Sequence, residues 1–198
     1  MKKIVFASKN KGKIKELKAL LEGISVEVAS IDDYPEIPDV VEDGSSFFEN
    51  AMKKARLIFD YTGQMVIADD SGLEVDYLGG RPGVHSSRYA GENATDEENN
   101  KKLLSELASV PDEKRGAAFR CVLILFMGSE NYESFEGKLE GKIGTELKGN
   151  EGFGYDPVFI VSEYGKTVAE LGASIKNRIS HRAVAFQKLK KSLKEEVK

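Results

Sequence analysis

The stretch Lys3 to Ala7 constrains the chain more than any other. Ile4, Val5, Phe6 and Ala7 run without a polar interruption into the loop Ser8-Lys-Asn-Lys-Gly-Lys13. A strand apolar on both faces has to be covered on both sides, which helices flanking a central sheet provide. A helix follows directly, with Ile14, Leu17, Leu20 and Leu21 on one face. Strand, polar loop and amphipathic helix together open an α/β fold.

The remaining chain repeats this grammar. Ser46 with Glu49 predicts a capping box for a second helix, with an apolar stripe at Phe48, Met52, Ala55 and Phe59 and a stop at Gly63. Met65 to Ala68 predicts a short buried strand that ends at Asp69-Asp70-Ser71-Gly72. After the Gly/Pro-rich stretch from Gly79 to Gly83, Thr95 and Glu98 cap a third helix carrying Leu103, Leu104 and Leu107. Ala117 to Met127 predicts a long strand. Phe135 to Ile143 alternates strictly, which predicts a half-exposed partner joined through a turn near Gly128-Ser129-Glu130-Asn131. A last helix starts near His181, with Phe186, Leu189, Leu193 and Val197 facing inward. The hairpin makes the sheet mixed. No linker or repeat divides residues 1–198, so one domain is expected.

Charge narrows the partners. With 29 Lys and Arg against 33 Asp and Glu, the net charge is −4, which disfavours a nucleic-acid polymer but not a small phosphorylated ligand. The longest apolar run, Cys121 to Met127, is far short of the ~20 residues of a membrane helix. The four apolar residues after Lys2-Lys3 are too few for a signal peptide. The single cysteine, Cys121, cannot form an internal disulfide. A cytoplasmic protein with no membrane partner is expected.

Four segments could carry chemistry. Ser8 to Lys13 sets Lys9, Lys11 and Lys13 around a helix N-terminus, a place that favours anions, though a solvated lysine turn would look the same. It is not a Walker A loop, because Ile14 follows Gly12-Lys13. Glu42, Asp69 and Asp70 offer the hard oxygen ligands that suit Mg²⁺, although Asp-Asp-Ser-Gly also reads as a turn. Adjacent strand residues point to opposite faces, so only one of Asp69 and Asp70 can serve a site. Gly149 to Pro157 carries Phe153 and Tyr155 between glycines, either to stack a planar base or to plug the core, with Asp156 as a polar anchor. Lys176, His181 and Arg182 add donors for phosphate or a base oxygen. No Cys/His cluster has zinc spacing.

The order of these segments is more specific than any one of them. Ser8-x-Asn10-x-x-Lys13, Glu42 with Phe48-Glu-Asn-Ala51, Ala68-Asp-Asp-Ser-Gly-Leu73, Gly79-Gly-x-Pro-Gly83 with Ser87-Arg-Tyr-Ala-Gly91, Gly152-Phe-Gly-Tyr-Asp-Pro157 and Ile179-Ser-His-Arg182 together resemble the inosine/xanthosine triphosphate pyrophosphatase family over about residues 3 to 190. The resemblance implies a long mixed sheet with flanking helices in two lobes around a central cleft. It also implies Mg²⁺-dependent hydrolysis of ITP, dITP and XTP to the monophosphate and pyrophosphate, by a homodimer. By the match, Ser8, Lys9, Asn10, Lys11, Gly12 and Lys13 contact the phosphates, and Lys54 and Ser71 assist there. Glu42 and Asp70 hold the metal, with Asp70 also the base. Phe153, Gly154, Tyr155, Asp156, Lys176, His181 and Arg182 surround the base and sugar. Many members read Gly-Thr-Gly-Gly where this chain has Gly149-Asn150-Glu151-Gly152. A related pyrophosphatase of modified pyrimidine or methylated nucleotides, and a non-catalytic nucleotide sensor, are the competing readings. Glu42 and Asp70 speak against the sensor, which needs no water-activating carboxylate.

Overall fold

The computed structural model describes residues 2–21, 23–24 and 26–196; Val197 lies outside them. In chain order the elements are β1 (Lys2–Phe6), α1 (Lys11–Leu20), β2 (Val26–Ser30), α2 (Phe47–Thr62), β3 (Met65–Val75), α3 (Asp96–Glu106), β4 (Gly116–Gly128), β5 (Asn131–Ile143), β6 (Phe159–Val161), β7 (Lys166–Thr167), α4 (Val168–Ile179) and α5 (His181–Glu196). Seven strands form one sheet in the order β2-β1-β3-β4-β5-β6-β7. β1 runs parallel to β2 and to β3, with Val5 opposite Ala29 and Val66. β5, β6 and β7 pair antiparallel. The expected α/β fold with a mixed sheet and flanking helices is therefore present. No helix of the described residues is long and apolar enough to cross a membrane.

The residues divide into two compact units. Unit 1 comprises 1–70, 121–137 and 182–198, and unit 2 comprises 71–120 and 138–181. Neither unit is a continuous segment, so no linker composition marks the division. In unit 1, Ile4, Phe6, Leu17, Ile67, Leu123, Leu125, Phe186 and Leu189 form the core. β1 is buried on both faces, as its unbroken apolar run requires. In unit 2 the core gathers Leu73, Val75, Leu103, Leu107, Phe119, Ile143, Val158 and Phe159. There Arg115 is buried and its guanidinium donates to the carbonyls of Leu107, Val110, Ile143 and Gly144.

Four local expectations are corrected. β3 does not end at Ala68 but runs on to Val75, so Asp69 and Asp70 stand mid-strand and the Asp-Asp-Ser-Gly turn is excluded. The run from Lys11 to Lys13 is the first turn of α1 rather than loop, with Asn10 as its N-cap accepting from the Lys13 N–H. Of the expected α2 stripe, Met52 and Ala55 are buried, joined by Phe47, Ala51 and Ile58, while Phe48 is exposed and packs against Tyr132. Ser46 does cap α2 by accepting from the Glu49 N–H, but the Glu49 carboxylate reaches Ser45 instead of closing a box on Ser46. The capping box at Thr95 and Glu98 is reciprocal, as expected.

The β4–β5 turn lies where the alternation places it, and its two residues, Ser129 and Glu130, both have positive φ. This is the requirement of a type I′ hairpin, which Asn-Gly meets with less strain than Ser-Glu. The exposed ion pair from Glu130 to Arg56 contributes little against that. Replacing Ser129-Glu130 by Asn-Gly should stabilise the protein by about 1 kcal/mol. A thermal melt should show this as a rise of roughly 2–4 °C.

Candidate active site

β3 sets two consecutive buried carboxylates on its opposite faces, and unit 1 answers each with a different set of cations. Asp69 is 1% exposed, with its Oδ2 2.9 Å from the Lys13 Nζ and 3.5 Å from the Arg182 Nε. Lys13 comes from the first turn of α1 and Arg182 from the start of α5. Arg182 also lies 3.2 Å from the Glu16 carboxylate of α1. Asp70 faces α2 instead. Its Oδ2 accepts from the Asn50 Nδ2 at 3.1 Å, and its Oδ1 is 3.6 Å from the Lys54 Nζ. Lys54 is shared, since its ammonium also reaches the Glu42 Oε1 at 3.2 Å. Asn50 and Lys54 stand four residues apart on one helix face, both buried.

The two carboxyls are consequently driven in opposite directions. Burial alone would push Asp69 upward, but Lys13, Arg182 and Lys54 outweigh it and hold Asp69 well below the usual carboxylate range. For Asp70 burial prevails over Lys54 and Lys13, aided by Glu42, and its carboxyl lies above the usual range. Lys54 is desolvated too, yet Asp70, Asp69 and Glu42 raise it and keep it charged. Cys121 lies buried near Asp69; desolvation and that carboxylate push its thiol upward, which makes it a poor nucleophile.

The other expected site residues divide between the two units. In unit 1, Ser8 accepts from the Asn10 N–H, and the exposed Lys9 pairs with Asp39. Lys11 and Gly12 open α1. Ser71 follows Asp70 on β3 and belongs to unit 2. In unit 2, the Asp156 Oδ2 accepts from the Phe153 N–H at 3.0 Å and from the Lys176 Nζ at 2.7 Å. The Lys176 ammonium stands 4.2 Å over the Phe153 ring. Tyr155 is in the core and its hydroxyl donates to the Ser86 carbonyl. Of the two aromatics between glycines, then, Tyr155 plugs the core and Phe153 stays half-buried. Gly152 has φ +87°, and a Cβ there would meet the Asp156 carboxylate at 2.1 Å. Asn150 and Glu151 are exposed, so the Phe-Gly-Tyr-Asp segment is held without them. His181 is buried and stacks on Phe119 at 4.9 Å. Lys13, Lys54 and Arg182 thus meet at the Asp69-Asp70 pair in unit 1, whereas Lys176 serves Asp156 in unit 2.

Four residues take roles that the sequence does not assign them. Asn50 was within reach of the sequence, because it lies one helical turn before Lys54 on α2. Gly44 belongs with it: its N–H donates to the Asn50 Oδ1, and a Cβ would meet that oxygen at 2.6 Å. Asp69 as a paired hub, and Glu16 as the second partner of Arg182, had no local signal. Among the described residues no three or more His, Cys, Asp or Glu gather as a metal site. Two carboxylates, Glu42 and Asp70, still suit Mg²⁺, which is commonly held by one or two carboxylates with water and substrate phosphates.

The chain is similar to known proteins over nearly its whole length. The model of the Ham1 family matches residues 4–192. The dITP/XTP pyrophosphatase of Geobacter sulfurreducens is 51% identical over 98% of this chain and 97% of its own. That of Bacillus licheniformis is 51% identical over 96% of each. A solved HAM1 protein from Coxiella burnetii is similar with a TM-score of 0.91 and 42% identity, covering 98% of this chain and 100% of its own. A nucleoside-triphosphatase, dITP/XTP pyrophosphatase, from Mycobacterium abscessus is similar with a TM-score of 0.78 and 43% identity over 94% and 97%.

Removing the charge of Asp69 should leave Lys13 and Arg182 buried against too few anions. Asp69→Asn is expected to destabilise by about 3–5 kcal/mol. Because the folded pKa of Asp69 is depressed, its contribution is complete above the unfolded carboxylate value of about 3.9 and is lost as pH falls below it. Melting curves should therefore show a constant gap between wild type and variant from pH 7 to 5 that closes under stronger acid.

Proposed function

The chain belongs to the Ham1 family, and we propose that it hydrolyses dITP, ITP and XTP to the nucleoside monophosphate and pyrophosphate, clearing deaminated purines from the nucleotide pool. One observation carries this reading furthest: two adjacent carboxyls, one pinned ionised by Lys13 and Arg182, the other raised by burial and held by Asn50 and Lys54. Neighbouring groups driven apart in this way divide a structural role from an acid–base role. Asp70 is the base. It takes the proton of the water that attacks the α-phosphorus, and pyrophosphate leaves.

Charge near that base argues for a divalent cation. Lys13, Lys54 and Arg182 face Asp69, Asp70, Glu42 and Glu16, three cations against four carboxylates. A triphosphate brings further negative charge, and these lysines alone do not offset it. Glu42 and Asp70 would hold Mg²⁺, which when bound neutralises phosphate oxygens and the departing pyrophosphate. The segment from Ser8 to Lys13 receives the phosphates at the N-terminus of α1, with Ser71 and Lys54 assisting. One domain spanning 1–198, working as a homodimer in the cytoplasm, completes the reading.

Base choice rests on the 6-oxo group of hypoxanthine and xanthine, an acceptor where adenine has a donor. A buried donor left facing adenine costs about 1–3 kcal/mol. Of the two donors expected for this, Arg182 is held by Glu16 and Asp69. His181, fixed flat against Phe119, is the better supported. Phe153 offers its ring to the base, with Asp156 and Lys176 beside it.

Purified protein with Mg²⁺ should release pyrophosphate from dITP and XTP, with ATP and GTP poor substrates. Orthophosphate as the product, equal turnover of ATP, or a preference for a pyrimidine would overturn the assignment. Asp70→Asn should lower kcat by about 10³-fold or more. Its melting temperature at pH 7 should be at least that of the wild type, because an upward-shifted carboxyl is destabilising once ionised.

A further inference from the structure

Gly154 is clamped from both sides by one turn of helix. Its N–H donates to the Asp96 carboxylate at 2.6 Å, and its carbonyl accepts from the Asn100 Nδ2 at 2.8 Å. Asp96 and Asn100 are one turn apart at the start of α3, and the Asn100 amide is itself fixed by donating to the Asp96 carbonyl at 2.8 Å. Both partners of that amide nitrogen are carbonyls, so its orientation is unambiguous.

The rest of the loop is already tied. Tyr155 is anchored by its hydroxyl on Ser86, and Asp156 by the Phe153 N–H and Lys176. Gly154 itself has φ +61°, open to a residue without a side chain. The peptides on either side of it are the remaining freedom between the Phe153 ring and the core, and α3 removes it. Asn100 is 2% exposed and its Oδ1 has no hydrogen-bond partner among the described residues. An orphaned buried acceptor is costly, and what the amide does with its nitrogen, holding Gly154, accounts for its presence. The adjacent Asn99 repeats the device on a second segment, donating to the Ser87 carbonyl and accepting from the Ala90 N–H. This ties the Ser87-Arg-Tyr-Ala-Gly91 segment, which had no role of its own, to the same helical turn.

We infer that Asp96 and Asn100 are positioning residues for base selection: through the Gly154 backbone they hold the Phe153 ring where it must lie to receive the purine. The inference rests on the reading of Phe153 as part of the base site. It implies that loosening the clamp harms base binding and leaves the Asp70 chemistry alone.

The test uses the full chain with Mg²⁺ and measures pyrophosphate from dITP and dGTP, together with hydrogen exchange at the Gly154 amide. Asp96→Ala and Asn100→Leu should raise KM for dITP about tenfold with kcat within about twofold, since a small misplacement is enough for losses of this order. The preference for dITP over dGTP should narrow, and Gly154 exchange should accelerate about tenfold in Asp96→Ala with its acceptor gone. Asp96→Asn, which keeps an acceptor oxygen, should restore both. Glu97→Ala removes an exposed charge from the same turn and should change neither. The clamp is overturned if Asp96→Ala behaves like Glu97→Ala, if kcat falls in place of the rise in KM, or if Asp96→Asn is as impaired as the alanine variant. Asp96 is exposed, so its variants remain informative even where Asn100→Leu does not fold. A wild type silent on dITP would instead overturn the substrate reading, and the Gly154 exchange rates would still decide the clamp.

Discussion

Two ionised carboxylates on adjacent residues of a buried strand are a severe electrostatic demand, and unit 1 is arranged around meeting it. The strand geometry sends Asp69 and Asp70 to opposite faces, so one cation cannot satisfy both closely. Three helices each deliver one: Lys13 from α1, Lys54 from α2 and Arg182 from α5. Desolvating a charge costs several kcal/mol unless it is paired. The registration of those helices against β3 is therefore tied to the charges as much as to the apolar stripe of Leu17, Phe186 and Leu189.

The compensation is unequal. Asp69 has two cations close by, one of them within hydrogen-bond distance, and stays ionised through the physiological range. Asp70 has a lysine at 3.6 Å that also pairs with Glu42 at 3.2 Å, and an amide that cannot supply a charge. The carboxylate with less compensating charge is the more basic of the two. Glu42 sharpens the contrast, because it draws Lys54 away and adds its own negative charge. The same arrangement that makes Asp70 costly to ionise sets it and Glu42 about one shared lysine, Lys54.

What could be read from the chain and what could not follows from the range of the interactions. Helix faces, the Thr95 cap, the Gly63 stop and the β4–β5 turn depend on neighbours within a few residues, and periodicity finds them. The Asp-Asp-Ser-Gly segment misleads because its residues favour turns locally. Ladder pairing overrides that preference and carries β3 through to Val75. Phe47 and Phe48 are adjacent, and composition cannot say which one faces in. Lys13, Lys54 and Arg182 were legible as cations near phosphate chemistry, but their partners were not. Glu16 lies 166 residues from Arg182, and nothing in a sequence window connects them.

Unit 2 is organised by a different physics from unit 1. In unit 2 the Lys176 charge is balanced by Asp156 at 2.7 Å, so the loop offers an approaching polyanion little net attraction. What it offers is shape: a ring under an ammonium, a carboxylate capping its own backbone, and a glycine fixed at both its N–H and its carbonyl. A pocket that attracted purines chiefly by charge would not separate hypoxanthine from guanine, since both carry the 6-oxo group. Discrimination between such bases has to come from small differences in where a base can lie, and only a segment that does not move preserves them. Rigidity imposed through the Gly154 backbone therefore governs shape in unit 2, whereas unit 1 is organised by the charges around Asp69 and Asp70.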